Sequence, residues 1–476
     1  MTSVTTVTGG NRTDPGNHQR VKRAPPRWDY LPDLIVEKIF SYLPKRSRYN
    51  AAVTCSSWLR VLYFPELWKT FAMRELTLTR SKFDYYKGYQ DALDPFVAQA
   101  CLRRIGRHFR RLKIFPISNF HNLFEFLTMV DSFITYYDIT PMKHLRAFEF
   151  SFACQIRSRE GIRIFGTGGR LFETLIKLMS HLVNLQDLRL ENLLLETFEA
   201  VHLLENVLHN CEESMRTMSI INCSKHNYFF MHCGLFRNLQ ILTISTNHLH
   251  PDLIKLLSDI ESFKELHVIQ TEFTSGAQHL RFRDWQPFRD NSKVHLFLET
   301  RGKTKEDIIW QERAPVYAII HATPYSKLTH HGALEIINQY GNTLQVYCQI
   351  GIPKIPYHRG RPMYERCDSQ LLLLVRTCEH LRTVMVHELV STSSLLLMAW
   401  YAKGQLRNLY VRRNAIIRRL DWPPTPDWSK EFYQWLKKSS SNFAVFEDEM
   451  SVLLNRKWRA LSDLDFKKID VGKVDL

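Results

Sequence analysis

Several groups of reactive side chains stand in this sequence, and each can be compared with the spacing that a reaction requires. In "FGTGGRLFETL", Gly166, Gly168 and Gly169 precede a stretch with helical periodicity. A dinucleotide-binding loop needs a further glycine at position 171, where leucine stands, and a phosphate-binding loop needs Gly-Lys-Ser/Thr, which is absent. The three glycines therefore indicate a turn before a helix.

A second group could bind a metal ion. "CSKHNYFFMHC" contains Cys223, His226, His232 and Cys233, which are zinc-binding residue types, but the adjacent pair 232–233 is a poor spacing for two ligands. "HELVS" begins like a zinc-protease helix and has Ser391 in place of the second histidine. No G-x-S-x-G nucleophile motif is present. The sequence thus predicts no catalytic, cofactor-binding or metal-binding residues, and a protein that is not an enzyme.

The segment "CLRRIGRHFRRLK" combines basic and apolar residues and holds no acidic one. Read as one helix, it places Arg103, Arg107, Arg110 and Arg111 on one face, with apolar residues on the other. Such a pattern is typical of a solvated convex surface. It would also suit an acidic or phosphorylated partner, because arginine binds carboxylate and phosphate through paired N–H bonds.

Composition narrows the class of protein. The 476 residues carry a net charge of +16, with 45% hydrophobic residues, enough for a substantial core. The N-terminal residues are polar, and no run approaches the roughly 18 apolar residues that span a bilayer. The nine cysteines are scattered without a C-x-x-C pair, as in reduced proteins. We expect an intracellular protein of the cytoplasm, the nucleus or both, with no membrane contact.

The first strongly patterned segment is "LPDLIVEKIFSYLP", residues 31–44. Its apolar residues recur at helical spacing, and Pro44 ends the pattern. Ser47 could cap a second helix that extends to Leu59, and a third short element carries Leu67 and Trp68. Three helices in about forty residues bury little surface, so we expect the unit to dock on a further partner.

These residues resemble the F-box. Leu-Pro at 31–32, Ile-Phe-x-x-Leu at 39–43, Cys-x-x-Trp at 55–58 and Leu-Trp at 67–68 follow the order and spacing of that family, although Leu34 stands where glutamate is usual and Ser47-Arg48 replace a common Asp-Leu. The resemblance implies binding to the Skp-type adaptor of a cullin–RING ubiquitin ligase. The residues expected to bind the adaptor are Leu31, Pro32, Ile35, Val36, Ile39, Phe40, Leu43, Cys55, Trp58, Leu67 and Trp68.

The rest of the chain shows an irregular repeat. "LQILTISTNHL" from Leu239 and "LRNLYVRRNAI" from Leu406 match the leucine-rich-repeat frame L-x-x-L-x-L-x-x-N-x-L, with Asn247 and Asn414 at the inward turn position. "MRTMSIINC" places Cys223 there. Weaker copies begin at 145, 185, 263 and 381, and helical stretches lie between them. Each unit reads as strand, turn and helix, and stacked units would share one core.

The chain therefore resembles F-box proteins with divergent C-terminal leucine-rich repeats. The predicted fold is α/β: a three-helix F-box, an irregular strand-turn-helix solenoid and a helical C-terminal cap. The predicted boundaries are a disordered tail at 1–27, the F-box at 28–72, repeats at 73–422 and a cap or tail at 423–476. Two segments, 274–293 and 351–367, read as loops that could carry binding.

The resemblance implies a substrate-recognition subunit of a Skp–cullin–F-box ubiquitin ligase, whose repeats bind an unknown protein for proteasomal degradation. The positive net charge of the chain would favour an acidic or phosphorylated substrate. Side chains between the core positions of the strands would face that substrate. They are Arg189, Glu191, Thr243, Ser245, His267, Tyr410 and Arg412. The alternatives are a basic repeat protein that binds nucleic acid, which lacks a signature motif here, and an F-box scaffold without a degraded substrate.

Overall fold

The computed structural model describes residues 28–469 apart from 87, 137–141, 143, 154, 158–162, 275, 292, 303–307, 309, 326, 352–361 and 403. The chain divides into two compact units, Met1–Trp68 and Lys69–Leu476. The predicted tail at 1–27 lies outside the described residues. The predicted class, a helical N-terminal region followed by a parallel α/β solenoid, is confirmed.

The N-terminal unit consists of helices α1 (Asp33–Tyr42), α2 (Lys45–Ala52) and α3 (Ser56–Val61). Prolines 32 and 44 stand at the N-caps of α1 and α2. The single helix expected from Ser47 to Leu59 is therefore two helices, the first starting before Ser47. A small buried core joins them, made of Val36, Phe40, Ala52, Val61, Leu62 and Leu67.

Arg48 stabilises this three-helix unit through hydrogen bonds to its backbone. Its guanidinium donates hydrogen bonds to the carbonyls of Phe40 (3.1 Å), Leu43 (3.3 Å) and Leu67 (2.8 Å). These carbonyls lie at the end of α1 and in the turn after α3, where backbone acceptors would otherwise be unsatisfied. The arginine that departs from the F-box pattern is therefore a structural clamp.

The first half of the second unit alternates strands and helices. Its elements are β1 (Thr70–Met73), β2 (Thr79–Asp84), β3 (Gly88–Leu93), α4 (Pro95–Ile105), β4 (Arg111–Ile114), α5 (Phe120–Tyr136), β5 (Ala147–Ser151), β6 (Gln155–Arg157), β7 (Arg163–Phe165), α6 (Arg170–His181), β8 (Asp187–Glu191), α7 (Thr197–Cys211), β9 (Thr217–Ile221), β10 (Ile241–Ser245) and α8 (Pro251–Ser258).

The second half continues the alternation and ends in three helices. Its elements are β11 (Glu265–Gln270), α9 (Gln286–Asp290), β12 (His295–Arg301), β13 (Val316–Ala322), α10 (His330–Tyr340), β14 (Val346–Gln349), α11 (Asp368–Thr377), β15 (Thr383–Val386), β16 (Val390–Ser391), α12 (Thr392–Tyr401), β17 (Asn408–Val411), β18 (Ile416–Ile417), α13 (Lys430–Ser441), α14 (Phe443–Leu453) and α15 (Asp463–Lys468).

Twelve strands form one parallel sheet in the order β1-β4-β5-β8-β9-β10-β11-β12-β13-β14-β15-β17, while β2–β3 and β6–β7 are separate antiparallel hairpins. The repeat register brings buried residues into line across the strands, as Leu188, Met218 and Leu242 show. One row faces the helices and forms the shared core, and the alternate row forms the inner, concave face.

A polar ladder joins the turns that follow the central strands. Asn222 donates from Nδ2 to Asn192 Oδ1 (2.7 Å), and its own Oδ1 accepts from Thr271 Oγ1 (2.9 Å) and Ser245 Oγ (3.3 Å). Its backbone N–H also donates to Ser245 Oγ at 2.7 Å. The ladder therefore runs through residues one or two positions before those predicted, Cys223 and Asn247.

The predicted turn residues have different surroundings. Cys223 and Asn247 are buried, but Asn247 Oδ1 has no hydrogen-bond partner. Asn414 is exposed and donates only a long bond, 3.4 Å, to Asp463 Oδ2. The prediction that Asn414 turns inward is wrong, because the chain leaves the sheet there in a short turn, Arg413–Ala415.

We expect Asn222→Leu to lower the free energy of unfolding by about 2–4 kcal/mol, because it strands buried polar partners and places leucine at a φ of +52°. Urea denaturation followed by circular dichroism measures the loss. Asn222→Gly, which tolerates that φ, should recover part of it. The matched control is Asn414→Leu, for which we expect about 0.5 kcal/mol or less. Equal losses at positions 222 and 414 would contradict the ladder.

Candidate partner-binding surfaces

Helix α1 presents an apolar stripe to solvent. Ile35 and Ile39 are 49% and 39% exposed, and Leu34 and Tyr42 on the same side are exposed further. Residues at i, i+4 and i+7 share a face, so Ile35, Ile39 and Tyr42 form one patch, and Leu34 lies to one side of it, about 100° from Ile35 around the helix. Lys38 lies beside it with its ammonium 5.4 Å from the Tyr42 ring centroid. Exposed apolar patches of this kind mark surfaces that bind a partner.

The same helix buries its other side. Val36 and Phe40 lie in the core of the three-helix unit, and Leu67 packs beside them. Phe40 also meets the Trp58 ring edge-on at 5.8 Å. Their prediction as adaptor-binding residues is corrected on this point: they support the exposed stripe from beneath and are not themselves accessible. The stripe instead includes Leu34 and Tyr42, which the resemblance did not assign.

The remaining predicted adaptor-binding residues lie at or near the surface of the unit. Pro32 is exposed, and the others are half-buried: Leu31, Leu43, Cys55, Trp58 and Trp68. The two tryptophans are held in place by hydrogen bonds from their indole N–H groups. Trp58 donates to the carbonyl of Trp28 (3.2 Å) and Trp68 to that of Leu62 (2.5 Å). Their rings are thus oriented before any partner arrives.

The concave face of the first repeats carries a charge network. Arg111 contacts Glu149 at 3.1 Å and Asp187 at 3.0 Å, and Lys113 contacts Glu149 at 2.8 Å. Burial raises the pKa of Asp187, and the nearby Arg111 opposes that change. Acidic and basic groups alternate and neutralise one another along these strands. This face therefore does not account for the basic character of the chain.

The charge network continues across the sheet from β8 to β12. Arg189 donates to Glu191 at 2.7 Å, and Arg301 lies 3.7 Å from the same carboxylate while pairing with Glu299 at 2.7 Å. Three strands lie between β8 and β12, about 19 Å apart in a flat sheet. Only strong curvature lets Arg301 reach Glu191, and the concave face is consequently narrow here.

Two of the predicted substrate-facing residues are buried, and a third is half-buried against other side chains. Ser245 is buried in the polar ladder. Arg412 is buried and donates to Asp463 Oδ1 at 2.9 Å. Tyr410 packs against the apolar cluster around Phe466. The prediction is corrected for Ser245 because its hydroxyl lies in the polar ladder, and for Tyr410 and Arg412 because the carboxyl-terminal segment packs on them. Arg189, Glu191, Thr243 and His267 are half-buried on the concave side, where His267 stacks on Phe297 at 4.1 Å.

The basic segment after β3 is not one helix. Helix α4 ends at Ile105, a short turn follows at Gly106–His108, and Arg111 begins strand β4. Arg103 and Arg107 remain exposed on the helical side, whereas Arg111 points to the concave face and its carboxylates. The prediction of four arginines on one face is wrong, because an alternating strand pattern was read with a helical period.

The groups considered for catalysis have structural roles. A Cβ added to Gly166 would lie 2.3 Å from the carbonyl oxygen of Leu194, so that position requires glycine for close packing. Burial raises the pKa of Cys223 far above its usual value and that of Cys233 to about 12, which keeps both thiols protonated. Across the part of the chain that the structure describes, no three His, Cys, Asp or Glu side chains form a group that could hold a metal ion.

The two predicted loops differ. Segment 274–293 contains a short turn, Phe282–Trp285, and helix α9, and Trp285 and Phe288 anchor it in the core, while many of its other described side chains are exposed. Residues 352–361 of the other loop lie outside the described residues. Among the described helices, none combines the length and apolar content needed to cross a bilayer.

Comparison with known proteins agrees with this geometry. Residues 28–74 match the F-box-like domain family. The chain is similar to F-box/LRR-repeat protein 21 of Mus musculus, 31% identical over 81 residues, 17% of each chain. It is also similar to F-box/LRR-repeat protein 21 of Ovis aries, to which it is 30% identical over 91 residues, 19% of each chain. The match thus spans less than a fifth of the length of these relatives. An F-box-like domain followed by a parallel α/β solenoid is consistent with an F-box protein that carries leucine-rich repeats.

Proposed function

We propose that this chain, whose residues 28–74 form an F-box-like domain, is the substrate-recognition subunit of a Skp–cullin–F-box ubiquitin ligase. The observation that carries the proposal is the apolar stripe of α1. Leu34, Ile35, Ile39 and Tyr42 are exposed on a helix whose other side is buried. Exposed apolar side chains in so small a unit are favourable when a partner covers them.

In this role the chain needs no catalytic side chain. The F-box-like domain binds the Skp-type adaptor, and the solenoid binds a protein substrate. Holding both on one chain raises the effective concentration of substrate lysines near the ubiquitin-loaded enzyme. Transfer to lysine then marks the substrate for proteasomal degradation. The substrate is bound in part through the accessible concave residues Arg189, Glu191, Thr243 and His267.

The adaptor surface is tested with the purified full chain and recombinant Skp-type adaptor. We expect Ile35→Asp with Ile39→Asp to weaken adaptor binding at least tenfold, because two charges would be buried at an apolar contact. The control is Leu76→Asp, which changes an exposed leucine outside the three-helix unit and should leave binding unchanged. Circular dichroism confirms that both variants are folded. Full adaptor binding by the double variant would refute the proposal.

A further inference from the structure

The concave side of the parallel sheet changes character along the solenoid. The strand register defines one row of side chains on this side, which runs in order through Lys113, Glu149, Arg189, Ser219, Thr243, His267, Phe297, Ala318 and Val346. The row is charged on the first strands, polar in the middle, and apolar on β12, β13 and β14. The shared core lies on the other side of the sheet, so the apolar part of this row is not needed to join the repeats.

A segment of the chain itself covers this apolar region. Phe466 of α15 is fully buried in it, and Leu461 and Ile469 pack against the same cluster. Closing the last strand does not require the Phe466 contact, because the bridge between Leu461 and Arg412 already covers the edge of β17. The cluster that receives Phe466 extends back to Phe297 on β12, four strands before β17 in the sheet. Helix α15 therefore does more than cap the last repeat.

Few contacts hold α15 in place. The helix has only six residues, Asp463–Lys468, and Phe466 is its one buried side chain. An isolated helix of this length is not stable in water, so its conformation depends on the surface to which it is bound. The affinity of α15 for the concave face is therefore concentrated in one aromatic ring and in the residues at its two ends.

A buried cation lies beside the first residue of this helix. The Arg412 side chain is 4% exposed, and its Nε donates to Asp463 Oδ1 at 2.9 Å. Arg412 also donates to the carbonyl of His387 at 3.3 Å. A buried guanidinium is strongly destabilised when its carboxylate is removed, so a segment that replaces α15 must also supply a carboxylate. Asp463 and Phe466 are three residues apart, close to one turn of a helix.

We propose that the apolar part of the concave face is a recognition site for a short helical segment of a partner protein, which carries a carboxylate three residues before an aromatic ring. Helix α15 occupies the site until such a segment displaces it. The inference rests on the proposed function in one respect, that the partner is the protein to be ubiquitinated. His267, an accessible residue of the concave face, stacks on Phe297 at 4.1 Å, so the site is continuous with that face.

The test uses the full chain with Phe466→Ala, in which the cluster is uncovered, and fluorescein-labelled peptides whose binding is measured by fluorescence anisotropy. The first peptide has the sequence of residues 460–469, ALSDLDFKKI. The second keeps only the aspartate of position 463 and the phenylalanine of position 466, in an alanine sequence with lysine at both ends. We expect both peptides to bind the variant. The unaltered chain should bind them at least tenfold more weakly, because its own segment competes.

Substitutions in the first peptide and in the chain test the two contacts. In the peptide, Phe466→Ala and Asp463→Asn should each weaken binding at least tenfold, whereas Leu464→Ala, at a position 71% exposed in the intact chain, should leave it within twofold. When Arg412→Gln is added to the chain, the Asp463→Asn peptide should bind as well as the first peptide, because the carboxylate has lost its partner. A preference for aspartate that survives Arg412→Gln would overturn the proposal.

Displacement is measured on the unaltered chain, which requires no variant to fold. With the second peptide in excess, hydrogen exchange of the Phe466 amide should accelerate at least tenfold, with unchanged protection in β9 and β10. Unchanged exchange, or binding of the first peptide without the second, would overturn the proposal and make α15 a permanent cap. Adaptor capture should be equal for the unaltered chain and Phe466→Ala. Absence of peptide binding with adaptor capture intact therefore counts against this inference and not against the adaptor role.

Discussion

Lowering the pH from 7 to 4 is expected to reduce the free energy of unfolding of the solenoid by about 6 kcal/mol through two histidines. Burial lowers the pKa of both His248 and His321 to about 4. In the unfolded chain each titrates near 6.5, so between pH 6.5 and 4 the unfolded state binds more protons than the folded state. Stability is therefore complete above about pH 6.5 and falls as the pH drops, by about 3 kcal/mol for each histidine.

The surroundings of the two rings explain why they stay neutral. His248 Nδ1 donates to the carbonyl of Tyr228 at 2.8 Å, which determines its tautomer, and the ring packs against Phe230 at 4.5 Å. His321 lies 3.3 Å from Thr300 Oγ1 and faces the edge of the Tyr347 ring. Proximity to His387 disfavours its charged form further. Neither ring has a carboxylate partner among these contacts that would stabilise the imidazolium.

Urea denaturation at several pH values between 7 and 4 measures this dependence. His321→Gln should remove about half of the part of the slope that His248 and His321 contribute, whatever its effect on stability at pH 7. His209→Gln changes an exposed histidine of α7 and should leave the slope unchanged. Carboxylates with lowered pKa values, such as Asp463, contribute only at still lower pH. An unaltered slope in His321→Gln would show that this ring is already protonated or solvated in the folded protein.

Repeat strands were predictable wherever the spacing of apolar residues in the leucine frame was recognisable, whether or not its turn residue was assigned correctly. The frames that start at 185, 215 and 239 became β8, β9 and β10. Strands β12, β13 and β14 were not predicted, because their runs are buried on both faces and no copy of the leucine frame was recognised in them. The turn residue itself was misplaced at position 223, since a left-handed asparagine at 222 takes the ladder role that the frame assigns one residue later.

The candidate sites, too, could be predicted from the sequence only in part. The wide apolar stripe of α1 was evident, but residues 35 and 36 differ by about 100° around a helix, and the sequence does not say which of them faces the core. Arg111 and Lys113 alternate with Leu112 and Ile114, a strand pattern too short to distinguish from a helix. The covering of the concave face depends on contacts between residues more than fifty positions apart, as between Arg412 and Asp463.

The carboxyl-terminal segment closes the last strand of the sheet. Trp458 is buried and donates from its indole N–H to the carbonyl of Leu409 at 2.7 Å. Leu461 then pairs with Arg412 as a parallel bridge, so the outer edge of β17 is not open. An uncovered edge strand would offer unpaired backbone groups to other chains. A cap of this kind is what the last repeat of a solenoid requires.

Beyond that edge, α15 turns onto the concave face. Phe466 is fully buried in an apolar cluster contributed by β12 to β15. The cluster contains Phe297, Tyr317, Ala318, Ile320, Val346, Cys348 and Met385. The bond from Arg412 to Asp463 stabilises the start of the helix and lowers the pKa of that carboxyl. The helix therefore covers the concave face of the last repeats.

We expect Phe466→Ala to cost about 3–5 kcal/mol in the attachment of this segment, because a large ring leaves a filled core. The loss is local: α15 should detach while the sheet remains folded. Hydrogen exchange measures it as faster exchange of the Leu461 and Phe466 amides, with unchanged protection in β9 and β10. Trp458→Ala should act in the same direction and also expose β17.

The control lies on the same helix. Leu464 is 71% exposed two residues before Phe466, so Leu464→Ala removes apolar surface without opening the cluster. This substitution should leave the exchange rates of the Leu461 and Phe466 amides within twofold of those in the unaltered chain. If the substitutions at 464 and 466 accelerate exchange equally, α15 is not held by the cluster, and the concave face of the last repeats is open. Tyr410 and Arg412 would then return to the set of substrate-facing residues, since only the attached segment removes them from it.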